Sequence, residues 1–236
     1  MLALPLSHRF GHEGTALYQR WSESCLPSSL DGLIVTGAPL EHLPFEDVTY
    51  WRELAGICDW AARSVGGTLY ICWAAFAALY AFHGVRTRML PRKISGIFQQ
   101  WIVERGDPLT SGLGANFPCP VSRHAEVEAL VLPWRRGLTL LAQSPESGLC
   151  LVADAPKHAH YMFNHLEYDA DTLKREYLRD RARRADADVP ENYLPDGDVS
   201  KIPPLVWRRP AERLFANWLS ILAERRAAVL AMSDSF

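Results

Sequence analysis

Apolar residues fall in short blocks along the chain, and the spacing inside each block separates strands from helices. The run DGLIVTG at 31–37 is a short apolar stretch closed by glycine, the pattern of a strand buried on both faces. The stretch 44–65, PFEDVTYWRELAGICDWAARSV, carries Val48, Trp51, Leu54, Ala55, Cys58 and Ala62 at helical spacing. TLYIC at 68–72 reads as the next strand. The run AAFAALYAFHG that follows reads as a buried helix ending at Gly84. KISGIFQQWIV at 93–103 predicts a strand or hairpin, and VEALVLP at 127–133 and LTLLAQS at 138–144 predict further strands. The stretch 149–169 reads as strand, tight turn, strand. Residues 169–185 predict a helix with Asp169 or Asp171 as N-cap, and 211–231 a closing amphipathic helix. The proline-rich stretch 186–208 is a long loop between those two helices. Strands alternating with helices predict one α/β domain over 1–236, with a mainly parallel sheet covered by helices on both faces.

Composition narrows the function classes. The chain has 236 residues, 48% hydrophobic and 22% charged, as in a globular protein. A net charge of −2 offers no general electrostatic case for nucleic acid or an anionic membrane. The most basic run, Arg175 to Arg184, is interleaved with Glu176 and Asp180 and reads as a solvated helix face. No apolar run reaches the ~18 residues needed to span a membrane, and MLALPLSHRFGHEG is too short and interrupted for a secretory signal. The five cysteines (Cys25, Cys58, Cys72, Cys119, Cys150) lack metal-type spacing, which predicts reduced thiols and a cytoplasmic location. His158 and His160 form an isolated His-x-His, and His8 and His12 share a face only if their segment is helical. Neither pair has clustered partners, so they are expected to be solvent-exposed histidines and no metal site is expected.

One cysteine stands apart. Cys72 lies where a strand passes into a helix, followed by Trp73, Ala74 and Ala75. In open α/β sheets reactive groups sit beyond the carboxyl ends of the strands. A sharp strand-to-helix turn holds a nucleophile in the crevice, tolerates only small neighbours, and favours thiolate at the helix N-terminus. Cysteine is also a common core residue, so local pattern leaves both readings open. A nucleophilic cysteine needs a base, and the base an orienting group. In NHLEYD, His165 and Glu167 are two residues apart, on one side of an extended chain at a predicted strand end. A carboxylate beside an imidazole sets its tautomer and stabilises its protonated form.

In chain order, DGLIVTGAPLEHLPFEDVTYW, TLYICWAAFAAL, KISGIF, SRHAEV, HLEYDADTLKREYLRD, NYLP, and WLS preceded by FAN are similar to the homoserine O-acyltransferases of methionine biosynthesis, the MetA-type transsuccinylases and transacetylases. The resemblance runs from about Ser7 to Leu219. It implies a class I glutamine-amidotransferase-like (flavodoxin-like) α/β fold and ping-pong transfer from acyl-CoA to an amino-acid hydroxyl. It implies that Cys72 carries the acyl group, that His165 is the general base and that Glu167 orients it. It also implies that Lys93, Ser122 and Arg179 bind the amino acid; spacing alone would not select them. The backbone N–H of Trp73, first on the helix, is the natural oxyanion donor.

The chain departs from the family pattern at Asn164 and Leu166, where the family carries Gly and Pro. Gln99 and Gln100 replace an acidic residue and a histidine, and WRRP at 207–210 replaces WRSH. The family has a leading strand and helix, with a lysine in the acyl pocket, before the part matching Ser7; either this chain lacks them or its start codon is misplaced. A missing sheet edge would leave apolar strand surface exposed, which favours oligomerisation, a homodimer at the simplest, or poor solubility. The resemblance implies homoserine as acceptor, and acetyl-CoA or succinyl-CoA as donor substrate with no bound cofactor. Glu41, in the loop after 31–37, falls at the family's donor-selecting position, where glutamate goes with acetyl and glycine with succinyl. The other readings carried forward are serine or another hydroxy amino acid as acceptor, and a non-catalytic paralogue binding CoA or a protein partner.

Overall fold

The computed structural model describes residues 29–127 and 136–233, together with two short strands that pair in parallel, β1 (Leu2–Ala3) and β2 (Gln19–Arg20). The expected strand at 127–133, apart from Val127, and Cys25, His8 and His12 lie outside the described residues.

Seven strands form the main sheet: β3 (Leu33–Val35), β4 (Thr68–Ile71), β5 (Arg88–Ile102), β6 (Asn116–Glu126), β7 (Leu138–Ser144), β8 (Gly148–Asp154) and β9 (Ala159–Met162). Their order is β3-β4-β9-β8-β7-β5-β6. Only β3–β4 and β4–β9 pair in parallel; the other four pairings are antiparallel. The expectation of a mainly parallel sheet is corrected to a mixed one. The reason is local. Residues 145–147 form the turn between β7 and β8, and a connection that short reverses the chain. Every residue of β8 after Gly148 is buried, so its unbroken apolar run imitates a parallel strand.

The helices are α1 (Trp51–Ser64), α2 (Trp73–His83), α3 (Thr172–Arg183) and α4 (Arg208–Ser233). α1 supplies the crossover from β3 to β4, and α2 follows β4 directly. The first seven residues of α2 are all buried, which is why its sequence shows no polar stripe. It closes at Gly84, whose φ of 64° suits glycine, and the Gly84 N–H donates to the Tyr80 carbonyl at 2.9 Å.

Side-chain alternation along β4 and β9 puts helices on both faces. Tyr70 stacks on Tyr161 at 5.7 Å and reaches Phe82 of α2, and Phe163 packs on Phe76 of α2 at 4.9 Å. The opposite face meets α4: a Cβ on Gly67, in step with Leu69 and Ile71, would lie 2.5 Å from Leu222. The β5–β6 ribbon pairs with β7 only at Trp101 and Ile102. It then curls back over the sheet, so that Pro120 of β6 accepts a hydrogen bond from the His165 N–H at 2.9 Å. The long loop after α3 is anchored to β5: the Ile97 N–H donates to the Glu191 carbonyl and the Glu191 N–H to that of Ser95.

Among the described residues no helix is long and apolar enough to cross a membrane, and no three His, Cys, Asp or Glu side chains gather as a metal site. His160 departs from expectation. It is 5% exposed, in the middle of the sheet, because β9 is covered on both faces.

Candidate active site

β4 and β9 are parallel neighbours, and both carry site residues just past their carboxyl ends. The Cys72 N–H extends the ladder by donating to the Met162 carbonyl at 2.8 Å. Cys72 then turns sharply, with φ 56° and ψ −125°, and its carbonyl accepts from Ala75 at 2.9 Å as α2 begins. A side chain costs energy in that backbone region, which is held only where surroundings over-determine it. One such constraint is Gly37, on the loop after β3. A Cβ there would stand 2.8 Å from the Trp73 nitrogen and 3.0 Å from the Cys72 Cβ. Trp73 is the first residue of α2, so its N–H has no acceptor within the helix and is free to meet a ligand oxygen beside Cys72.

His165 lies three residues beyond β9, and Glu167 accepts from its Nδ1 at 2.6 Å. Nε2 has no hydrogen-bond partner among the described residues, and Cys72 is the strongest charged neighbour of the ring. Burial alone would push the His165 pKa down. The interactions with Cys72, and then with Glu167, outweigh it and hold that pKa well above the ordinary histidine value. The ring is stacked 4.0 Å from Tyr168, whose backbone carbonyl accepts from the indole of buried Trp207 at 2.9 Å.

Tyr168 links this pair to a second cluster. Its hydroxyl donates to Glu176 at 2.7 Å, and the Ser122 hydroxyl donates to the other oxygen of the same carboxylate at 2.5 Å. Lys93 lies 2.8 Å from Asp180 and 3.5 Å from Glu176. Arg179 donates through two nitrogens to Asp180, both at 3.0 Å. Lys93, Ser122 and Arg179 therefore come together, but through two carboxylates that the sequence pattern presents as a solvated helix face. Their signal was the spacing Glu176, Arg179, Asp180, which puts all three on one side of α3. Lys93, Ser95, His124, Tyr177 and Asp180 line a cavity of about 230 Å³ above this cluster. Glu41 lies four residues past Gly37 and is near enough to raise the pKa of His124, although burial and Lys93 leave that histidine below its ordinary value. A cysteine beside an oriented imidazole, with a helix-start N–H that has no acceptor within the helix and a charged cluster joined to the imidazole through Tyr168, is equipped for acyl transfer.

The profile of the homoserine O-succinyltransferase family matches residues 12–228. Proteins described as homoserine O-acetyltransferases are similar along much of the chain. The one from Synechococcus elongatus is 48% identical over 190 residues, covering 80% of this chain and 64% of its own length. The one from Ruegeria is 46% identical, covering 80% and 61%. The one from Brucella suis is 43% identical over 205 residues, covering 87% and 67%. The chain thus spans under two thirds of the length of the Synechococcus and Ruegeria relatives. Among solved structures, a glutamine amidotransferase from Methylobacillus flagellatus superposes with a TM-score of 0.63 at 17% identity, covering 86% of this chain and 83% of its own. One from Thermotoga maritima superposes with a TM-score of 0.58 at 14% identity, covering 81% and 77%. These two bear out the class I glutamine-amidotransferase-like fold.

Proposed function

The chain belongs to the homoserine O-succinyltransferase family, and from that premise we propose that it moves an acyl group from acyl-CoA to the hydroxyl of homoserine by way of Cys72. The observation that supports this most is the pairing of strand ends. Cys72 is held at φ 56° beyond β4, and His165, fixed by Glu167 at 2.6 Å, follows the parallel neighbour β9.

In the first half-reaction the Cys72 thiolate attacks the thioester carbonyl, and the Trp73 N–H receives the oxyanion. The carbon–sulfur bond to CoA breaks, and the proton on His165 Nε2 passes to the departing CoA thiolate. The acyl-enzyme carries no thiolate, so the largest influence raising the His165 pKa is gone while its burial remains. The neutral imidazole then takes the acceptor's hydroxyl proton, the oxygen attacks the acyl carbonyl, and the Cys72 thiolate leaves. The same imidazole is thus an acid in one half and a base in the other. In the polar cluster, Arg179 and Lys93 suit the acceptor's carboxylate, while Glu176 and Asp180 offer countercharge for its ammonium.

Acetyl-CoA is the favoured donor. The far end of a succinyl group carries a carboxylate, which Glu41 would oppose in a partly desolvated loop, whereas acetyl carries none. The description of the relatives as acetyltransferases agrees with that choice. Initial rates with acetyl-CoA and homoserine both varied should give parallel double-reciprocal lines. Intersecting lines would mean direct transfer without an acyl-enzyme, and no turnover would refute the assignment.

A further inference from the structure

The residue before the base is tied into a buried polar chain with no part in the chemistry above. Asn164 is 0% exposed, and its Oδ1 accepts from an Arg123 nitrogen at 3.0 Å. The same nitrogen donates to the Leu149 carbonyl at 2.8 Å, and the other terminal nitrogen donates to the Ser147 carbonyl. Ser147 in turn accepts through its hydroxyl from Gln100 Nε2 at 3.1 Å, and that nitrogen also donates to the Phe98 carbonyl at 3.2 Å. Gln100, Ser147 and Asn164 have no exposed surface and Arg123 has 1%. The turn at Gly148 makes room for the guanidinium, since a Cβ there would lie 3.0 Å from an Arg123 nitrogen.

No carboxylate accepts from Arg123 among the described residues. Burial leaves the Arg123 pKa below the ordinary arginine value, although Glu126 is close enough to raise it. A buried cation whose hydrogen bonds go only to amide and carbonyl oxygens is a poor stabiliser beside an apolar side chain of similar volume. Such a group is better suited to fixing a conformation than to filling space. The conformation it reaches is that of residues 163–165. There the Phe163 N–H donates to Cys150 of β8 and the His165 N–H to Pro120 of β6. Between those two anchors, Asn164 is the one residue whose side chain reaches the core network. Gln100 and Asn164, two of the positions where the chain departs from the family pattern, sit at opposite ends of this one chain of hydrogen bonds.

We propose that Gln100, Ser147, Arg123 and Asn164 form a positioning network that sets the backbone carrying His165, and so the aim of its Nε2 at Cys72. This rests on His165 acting as the base. The test uses the full chain with acetyl-CoA and homoserine. Asn164→Ala should lower kcat about 10- to 100-fold, the scale expected for a misplacement near 1 Å, with either KM within about threefold. The acid limb of kcat/KM for homoserine, which reports His165 in the acyl-enzyme, should move to lower pH as the hold of Glu167 on the ring loosens. Asn164→Asp keeps an acceptor for Arg123 and should retain plateau kcat within about threefold of wild type. Gln100→Leu, further from the base, should change kcat and the acid limb in the same direction, and combined with Asn164→Ala it should add little further loss.

A folded Asn164→Ala with kcat within about threefold and an unmoved acid limb overturns the network. So do equal losses in Asn164→Ala and Asn164→Asp, which would mean packing alone. Should Asn164→Ala prove insoluble, unchanged kcat and pH profile in Gln100→Leu overturn the network in its place. A wild type without transferase activity would instead contradict the proposed function.

Discussion

The backbone at Cys72 leads to a stability prediction with an unusual sign. At φ 56° and ψ −125° any residue with a Cβ is strained, at a cost on the order of 1–3 kcal/mol. Cys72→Ala removes the sulfur and keeps that strain. Cys72→Gly releases it, at the expense of about 0.5–1 kcal/mol in extra unfolded-chain entropy. It also loses the burial of one carbon, roughly 0.8 kcal/mol, since the residue is only 8% exposed. Relief outweighs these losses by about 1 kcal/mol at the upper end of the strain range, which for a chain of this length is about 2–4 °C in Tm. The control is Ala75→Gly one turn into α2, where the residue is unstrained and fully buried. There glycine should lower Tm, by about 1 kcal/mol of helix propensity and more from the cavity. Calorimetric or circular-dichroism melts of the four proteins at one pH would decide it. Glycine should cost less relative to alanine at 72 than at 75, Cys72→Gly should melt above Cys72→Ala where the strain exceeds about 2 kcal/mol, and Ala75→Gly should melt below wild type. If glycine is worse than alanine at 72 by as much as at 75, the turn stores no strain and the physical case for a constrained nucleophile falls.

Glu41→Gly should shift the ratio of kcat/KM for acetyl-CoA over succinyl-CoA toward succinyl by at least about tenfold; an unmoved ratio would remove Glu41 as donor selector. His160 should make the protein acid-sensitive. Burial pushes its pKa down to about 4, although Asp107 opposes the shift, so the unfolded chain binds the proton more tightly. The stability from keeping this imidazole neutral is complete above its unfolded pKa of about 6.5 and falls as pH drops toward 4, by about 2 kcal/mol between pH 7.5 and 5. Urea midpoints of wild type and His160→Gln across that range should converge at low pH. Parallel curves would mean that His160 titrates as it does when unfolded.

The strand-to-helix turn at Cys72 was legible because two local signals frame it: a strand-like run broken by a small-residue helix, and a helix stop at Gly84. Partner choice was not legible. Apolar runs report burial, not strand direction, so the sheet looked mainly parallel although the turn at 145–147 makes β8 antiparallel to β7. His160 looked solvated because nothing local reveals that β9 is covered on both faces. Glu176 and Asp180 looked like ordinary helix-surface charges. Their importance arises only when β5 and β6 bring Lys93 and Ser122 under α3, a contact made across 54 to 87 positions of sequence. Buried polar residues such as Arg123 and Asn164 carry no periodic signal at all, because their partners are backbone carbonyls and amides from distant segments.

The central claim is that Cys72 carries the acyl group between donor and acceptor. Intact-mass measurement of the protein mixed with acetyl-CoA alone tests it most directly. The account predicts one added acetyl mass, located on the peptide containing Cys72, absent in Cys72→Ser, and discharged as O-acetylhomoserine when homoserine is added. A protein that turns over both substrates yet never gains that mass, or that gains it equally in Cys72→Ser, would contradict the account.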